Sequence, residues 1–179
     1  DSYIVDTGYG LERFVWASKG SPTIYDAIFP DVVATISELA GLESTVSDDE
    51  RARILAANAR LAGMVDLEDA SLRDLRGRIA SDIGISAEKL DEIITPLERI
   101  YAVSDHTRCL AYMLGDGIIP SNVKAGYLAR LVIRRTLRQM KDLSIDLPLS
   151  DLVSMQLSRL DYTDLDERLD TIVEILDQE

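Results

Sequence analysis

Residues 118–141 read IIPSNVKAGYLARLVIRRTLRQMK. No acidic residue interrupts this stretch, in a chain that carries 32 Asp and Glu against 19 Lys and Arg and a net charge of −13. Pro120 and Ser121 give a helix start signal, and Asn122–Lys141 predicts one helix about 30 Å long. Arg130, Arg134 and Arg138 are four apart, so they share a face, with Lys141 close to it and Lys124 and Arg135 nearby. Leu128, Val132, Thr136 and Met140 predict the opposite, buried stripe. Like charges at this spacing repel and call for a counter-ion. A phosphate backbone is one candidate, and the chain's own excess of Asp and Glu is the other. Gly126 leaves room for another helix or an RNA backbone to come close.

Outward from this helix the chain stays helical. Leu, Ile, Ala and Val abound while aromatics reach only 6%, which favours helices packed on helices over a β-sandwich. On the N-terminal side, the pattern predicts helices over Leu11–Ser18, from Thr23, from Pro30 through Ala40, and over Asp49–Val65. Ser71 and Ser86 open two more. Pro96 either starts a new helix or kinks the old one, which then runs to about Leu114. Gly115-Asp116-Gly117 breaks it. On the C-terminal side, Asp151–Leu160 and Leu165–Leu176 read as amphipathic helices with acidic outer faces. Residues 41–95 carry no chemical motif and read as a helical insertion. The expected fold is all-α, a mostly helical bundle, with a short β-strand over Ser2–Val5 at the start.

That strand feeds Asp6-Thr7-Gly8-Tyr9-Gly10-Leu11-Glu12-Arg13. A strand, a glycine-rich turn and a helix with Arg in its first turn suit an anion, because the first helical N–H groups are free and an Arg fork matches phosphate. An ordinary strand-to-helix turn with a surface Arg accounts for the same residues.

The totals exclude several classes. A single Cys and a single His rule out an intrachain disulfide and an all-Cys/His zinc site. No apolar run is long enough to span a bilayer. Taken as a whole, a net charge of −13 repels nucleic acid, so RNA binding rests on the local reversal around Arg130–Lys141. Cys109 lies on an apolar helix and is expected to be buried and inert. Asp105-His106 could form a catalytic pair, but no Ser or Cys nucleophile stands in a recognisable motif beside it. A structural or RNA-adjacent His106 is the expectation.

Gly8-Tyr9-Gly10-Leu11-Glu12-Arg13 resembles motif 3 of class II aminoacyl-tRNA synthetases, and the fuller run from Asp6 resembles the alanyl-tRNA synthetase version. Asp105-His106-Thr107-Arg108, Gly115 through Asn122, Gly126-Tyr127 and Arg130 through Arg135 follow the order of that family, in its archaeal form. The resemblance is recognisable over Val5–Pro30 and Ala102–Leu143. It implies that residues 1–20 end a class II catalytic domain and residues 21–179 form a helical domain that reads the tRNA acceptor stem. Arg13 and Gly10 would bind ATP, used with Mg2+ in the parent enzyme. Asp6 would hold the alanine ammonium, and Gly8 would keep that pocket small. Asn122 would read a G·U wobble pair from the minor groove, where a guanine amino group can donate to its amide oxygen. Lys124, Arg130, Arg134, Arg135 and Arg138 would contact the tRNA. By the same resemblance the parent is a cytoplasmic alanine–tRNA ligase, and this piece, without motifs 1 and 2, is expected to be inactive alone with no metal of its own. Val123-Lys124-Ala125 departs from bacterial members, which carry more charge there. An acidic helical scaffold without nucleic-acid binding is the rival.

Overall fold

The computed structural model describes residues 7–42, 47–62, 72–160 and 167–179. Every regular element among them is a helix. The strand expected over Ser2–Val5 lies outside the described residues. The helices are α1 (Leu11–Lys19), α2 (Ile24–Ile28), α3 (Pro30–Leu39), α4 (Asp48–Ala62), α5 (Leu72–Ile83), α6 (Ala87–Gly115), α7 (Lys124–Asp142), α8 (Leu149–Leu157) and α9 (Leu169–Asp177).

Two compact units emerge. One takes in the described residues of Asp1–Pro30 and Ser44–Glu92, and the other those of Asp31–Glu43 and Ile93–Glu179. In the first, α1 packs on α2 and α4 on α5. Thr23 caps α2, its hydroxyl accepting from the Asp26 N–H at 3.2 Å and donating to the Asp26 carboxylate at 2.6 Å. Ile54 and Leu55 of α4 and Leu75 and Ile79 of α5 are buried. Arg60 bridges the same two helices by pairing with Asp82 at 2.8 Å.

The second unit holds the larger core. α6 supplies Leu97, Ile100, Val103, Thr107, Leu110 and Leu114, a stripe whose spacing keeps to one side of a helix. The helix runs unbroken through Pro96. The missing N–H of Pro96 and the clash of its ring with the preceding turn are local costs, and the flanking apolar stripe outweighs them. Cys109 falls off this stripe and is exposed, contrary to the expected burial. Gln156 of α8 is buried, and its amide donates to the Ser104 carbonyl at 2.9 Å and the Thr107 hydroxyl at 3.1 Å, tying α8 to α6. α9 packs on α8.

The buried face of α7 is Gly126, Ala129, Ile133, Thr136 and Met140. Leu128 is half exposed at 50%, so the expected stripe through Leu128 and Val132 is corrected. Four residues turn a helix through about 40° beyond one full turn, so a strict four-residue row walks around the cylinder. Alternating steps of three and four cancel that drift. The helix also begins later than expected, at Lys124, leaving Asn122 in the preceding turn.

Candidate nucleic-acid interface

The turn between α6 and α7 is held at both ends. At the end of α6, Gly117 adopts φ 83° and donates its N–H to the Leu114 carbonyl at 2.9 Å, while Ile118 N–H reaches Met113 at 3.0 Å. This pair of bonds is a Schellman stop, and glycine supplies the left-handed residue it needs. Arg168 donates to the Gly115 carbonyl, placing a cation at the negative end of the α6 dipole.

At the start of α7 the turn folds back on Gly126. Ser121 N–H donates to the Gly126 carbonyl at 3.0 Å. A methyl group at Gly126 would lie 2.4 Å from the Ile119 carbonyl oxygen and 2.2 Å from the Ser121 hydroxyl. The close approach that Gly126 allows is therefore made by the chain's own turn. Val123 is extended, and Lys124 takes φ 51°. A left-handed φ at a residue with a β-carbon costs about 1–2 kcal/mol, so the turn is held in shape against local strain.

Asn122 sits exposed at the tip of this turn. Its Oδ1 accepts from Arg130 Nη1 at 2.8 Å. Arg130 also gives two bonds to the Glu179 carboxylate, from Nε at 2.7 Å and from Nη2. Those bonds, more than charge alone, hold the Glu179 carboxyl below its ordinary range and push Arg130 further up.

The other basic residues of α7 differ from Arg130. Arg134, Arg135, Arg138 and Lys141 are exposed, and among the described residues none of them forms an ion pair. The 40° drift again explains the split. Arg130 borders the buried face, where Glu179 reaches it, whereas Arg138 lies nearly opposite that face. Asp142, the acid that ends α7, is drawn away by Arg99 of α6 at 3.3 Å. Tyr127, Val123 and Ile119 add exposed apolar surface around Asn122, at 54%, 66% and 68%.

Asp105 and His106 do not make a catalytic pair. Successive helical residues diverge, and Asp105 is exposed while His106 is half-buried. Burial pushes His106 below its ordinary 6.5, with Asp105 opposing and Arg135 adding to the effect. Partial burial and Asp105 also push the exposed Cys109 thiol up from its ordinary value.

In the first unit, Gly10 stands in the left-handed region at φ 66° and caps α1, its carbonyl accepting from Arg13 N–H at 2.9 Å. The exposed Arg13 side chain folds close over it, so that a β-carbon on Gly10 would meet Arg13 Cδ at 3.3 Å and Glu12 Oε1 at 2.9 Å. Space beside Gly8 is open. Asp6 lies outside the described residues.

The sequence profile of the family described as tRNA synthetases class II (A) matches residues 1–179, the whole chain. The chain belongs to the class II (A) tRNA synthetases. It is 70% identical over 179 residues to the alanine–tRNA ligase of Methanothrix thermoacetophila, covering 100% of this chain and 20% of that protein. The alanine–tRNA ligase of Methanosarcina mazei is 60% identical over 181 residues, again across 100% of this chain and 20% of its own length. That of Methanoculleus marisnigri is 51% identical over 176 residues, covering 98% and 19%. The chain thus spans about a fifth of the length of the curated relatives it matches. Similarity to these synthetases extends through residues 41–95, where the residues alone carry no motif. Within this class II synthetase chain the two candidate sites fall in different units, Gly8–Arg13 in the first and Asn122 with the basic face of α7 in the second.

Proposed function

We propose that this chain serves in an alanine–tRNA ligase, which activates alanine with ATP and transfers it to tRNA, and that its second unit reads the acceptor-stem G·U wobble pair. One observation carries the reading. In a chain of net charge −13, the exposed Arg134, Arg135, Arg138 and Lys141 form no ion pair among the described residues, although Glu179 feels the charge of Arg134, and they stand beside the turn that presents Asn122. A phosphate backbone is the counter-ion that fits, and the wide, shallow minor groove of A-form RNA admits the Asn122 turn. Lys124 at the start of α7 would add a phosphate contact.

Arg13 and Gly10 suit the nucleotide, since an exposed guanidinium beside a left-handed helix cap presents donors to phosphate. ATP, when bound, supplies the energy of its phosphoanhydride bond. Asp6 would pair with the alanine ammonium, and Gly8, with open space where a β-carbon would stand, would let a small amino acid lie against the backbone. Among the described residues no three His, Cys, Asp or Glu side chains cluster as a metal site, so Mg2+ would arrive with the nucleotide. No described helix is long and apolar enough to cross a membrane, and protein synthesis would place the enzyme in the cytoplasm.

The scaffold reading draws on the Arg130–Glu179 pair, where the protein does supply its own counter-ion. Among the described residues that ion pair stops at Arg130, and Arg134 acts on Glu179 through charge alone. Charge reversal separates the two readings. In the full-length enzyme, Arg134→Glu with Arg138→Glu should weaken acceptor-stem binding roughly 10- to 100-fold and flatten its salt dependence by about two phosphate contacts. Unchanged affinity at low salt, with unchanged helix content, overturns the RNA reading.

A further inference from the structure

We propose that Arg130 is a positioning residue that decides which edge of the Asn122 amide faces the RNA, with Glu179 holding Arg130 in place. The proposal rests on the acceptor-stem reading above. An asparagine amide has one accepting edge and one donating edge, and an unrestrained amide at a turn can present either. Arginine has only donors. The 2.8 Å bond from Arg130 Nη1 therefore forces the oxygen of Asn122 toward α7 and the NH2 group away from it.

Three of the five guanidinium N–H groups are committed: one to Asn122, and two to the Glu179 carboxylate. Glu179 follows the last helix, 49 residues further along the chain, so the turn, α7 and the end of α9 are joined by one bonded series. The Glu179 carboxylate also neutralises Arg130 locally, which makes Arg130 a poor phosphate ligand compared with Arg134 and Arg138. With one lone pair of Oδ1 occupied, Asn122 offers the RNA two N–H donors and one remaining acceptor site. A minor groove that places an acceptor beside a guanine amino group matches both. Losing Arg130 frees the amide to turn over and present the wrong edge.

Phosphate contact and positioning predict different outcomes for the same variant. In the full-length enzyme, Arg130→Met should lower the preference for wobble-pair tRNA over its G·C counterpart roughly 5- to 20-fold, the loss expected for one charge-assisted hydrogen bond. The salt dependence of tRNA binding should stay as in the parent. Arg130→Lys keeps the charge but not the planar fork that bonds both Glu179 oxygens and Asn122 in fixed directions, so it should lose the same preference. Either change added to Asn122→Ala should cost nothing beyond Asn122→Ala alone, because Arg130 acts through that amide. A salt slope lowered by about one contact with the preference intact, or a normal Arg130→Lys enzyme, overturns the positioning role. That result leaves the RNA reading standing, since the Arg134 and Arg138 reversals test it separately.

Discussion

Gly126→Ala places the smallest possible side chain at the point where the Asn122 turn lies against α7. The new methyl would sit 2.4 Å from the Ile119 carbonyl oxygen and 2.2 Å from the Ser121 hydroxyl. The hydroxyl can rotate away, but the carbonyl belongs to the backbone. It must retreat by roughly 0.9 Å to reach an ordinary carbon–oxygen contact of about 3.3 Å. A shift of that size breaks the 3.0 Å bond from Ser121 N–H to the Gly126 carbonyl and carries Asn122 with it. Overpacking costs about 1–3 kcal/mol. Alanine regains about 1 kcal/mol through its helix propensity. The net loss of stability is therefore small, about 0–2 kcal/mol, while the loss of function is large. A displacement near 1 Å at a reading group costs roughly 100-fold. Urea unfolding and two activities of the full-length enzyme measure this, namely aminoacylation of wobble-pair tRNA and alanine-dependent pyrophosphate exchange. Aminoacylation should fall roughly 100-fold with exchange within about twofold of the parent. Aminoacylation at the parental rate would refute the claim that Gly126 shapes the reading turn, and equal loss of both activities would refute the separation of the two sites.

Two further outcomes follow from the second unit. Gln156→Leu should cost only about 1 kcal/mol, because the Thr107 hydroxyl and the Ser104 carbonyl still bond to each other, whereas Gln156→Ala adds a cavity and should cost about 2–4 kcal/mol by urea unfolding. The reverse order would contradict the packing described. His106, pushed below 6.5 by burial, resists protonation in the fold more than in the unfolded chain. Stability should therefore fall as pH drops from 6.5 through the folded value, and His106→Gln should flatten that part of the urea midpoint curve. An unchanged slope would mean that His106 titrates alike in both states.

Much of the fold was legible because helix signals are local. Thr23 and Pro30 mark their starts and Gly20 and Gly117 their ends, and each is decided within one turn of chain. The faces of the helices were harder to read. Leu128 is apolar and four residues from Val132, yet it points outward, because burial follows the three-and-four alternation of Gly126, Ala129 and Ile133. Cys109 misled for the same reason, since an apolar helix still has an exposed side. At the candidate site, the basic face was visible as a charge reversal and Gly126 as a place of close approach. What approaches Gly126 was not, because a glycine records space without naming its occupant. The bond series Glu179–Arg130–Asn122 left no sequence trace, since it depends on how the end of α9 is placed against α7, a tertiary outcome 49 residues away. The Gln156 bridge to α6 was hidden likewise, as a lone Gln in an amphipathic helix reads as surface.

The central claim is that this chain reads a wobble pair through Asn122. Its most direct test compares the full-length enzyme with its Asn122→Ala variant on two tRNAs that differ only at that pair, G·U against G·C, alongside alanine-dependent pyrophosphate exchange. The variant should lose most of its preference for the G·U tRNA, by roughly 10- to 100-fold, while exchange stays at the parental rate. A preference that survives intact in an active variant would contradict the account.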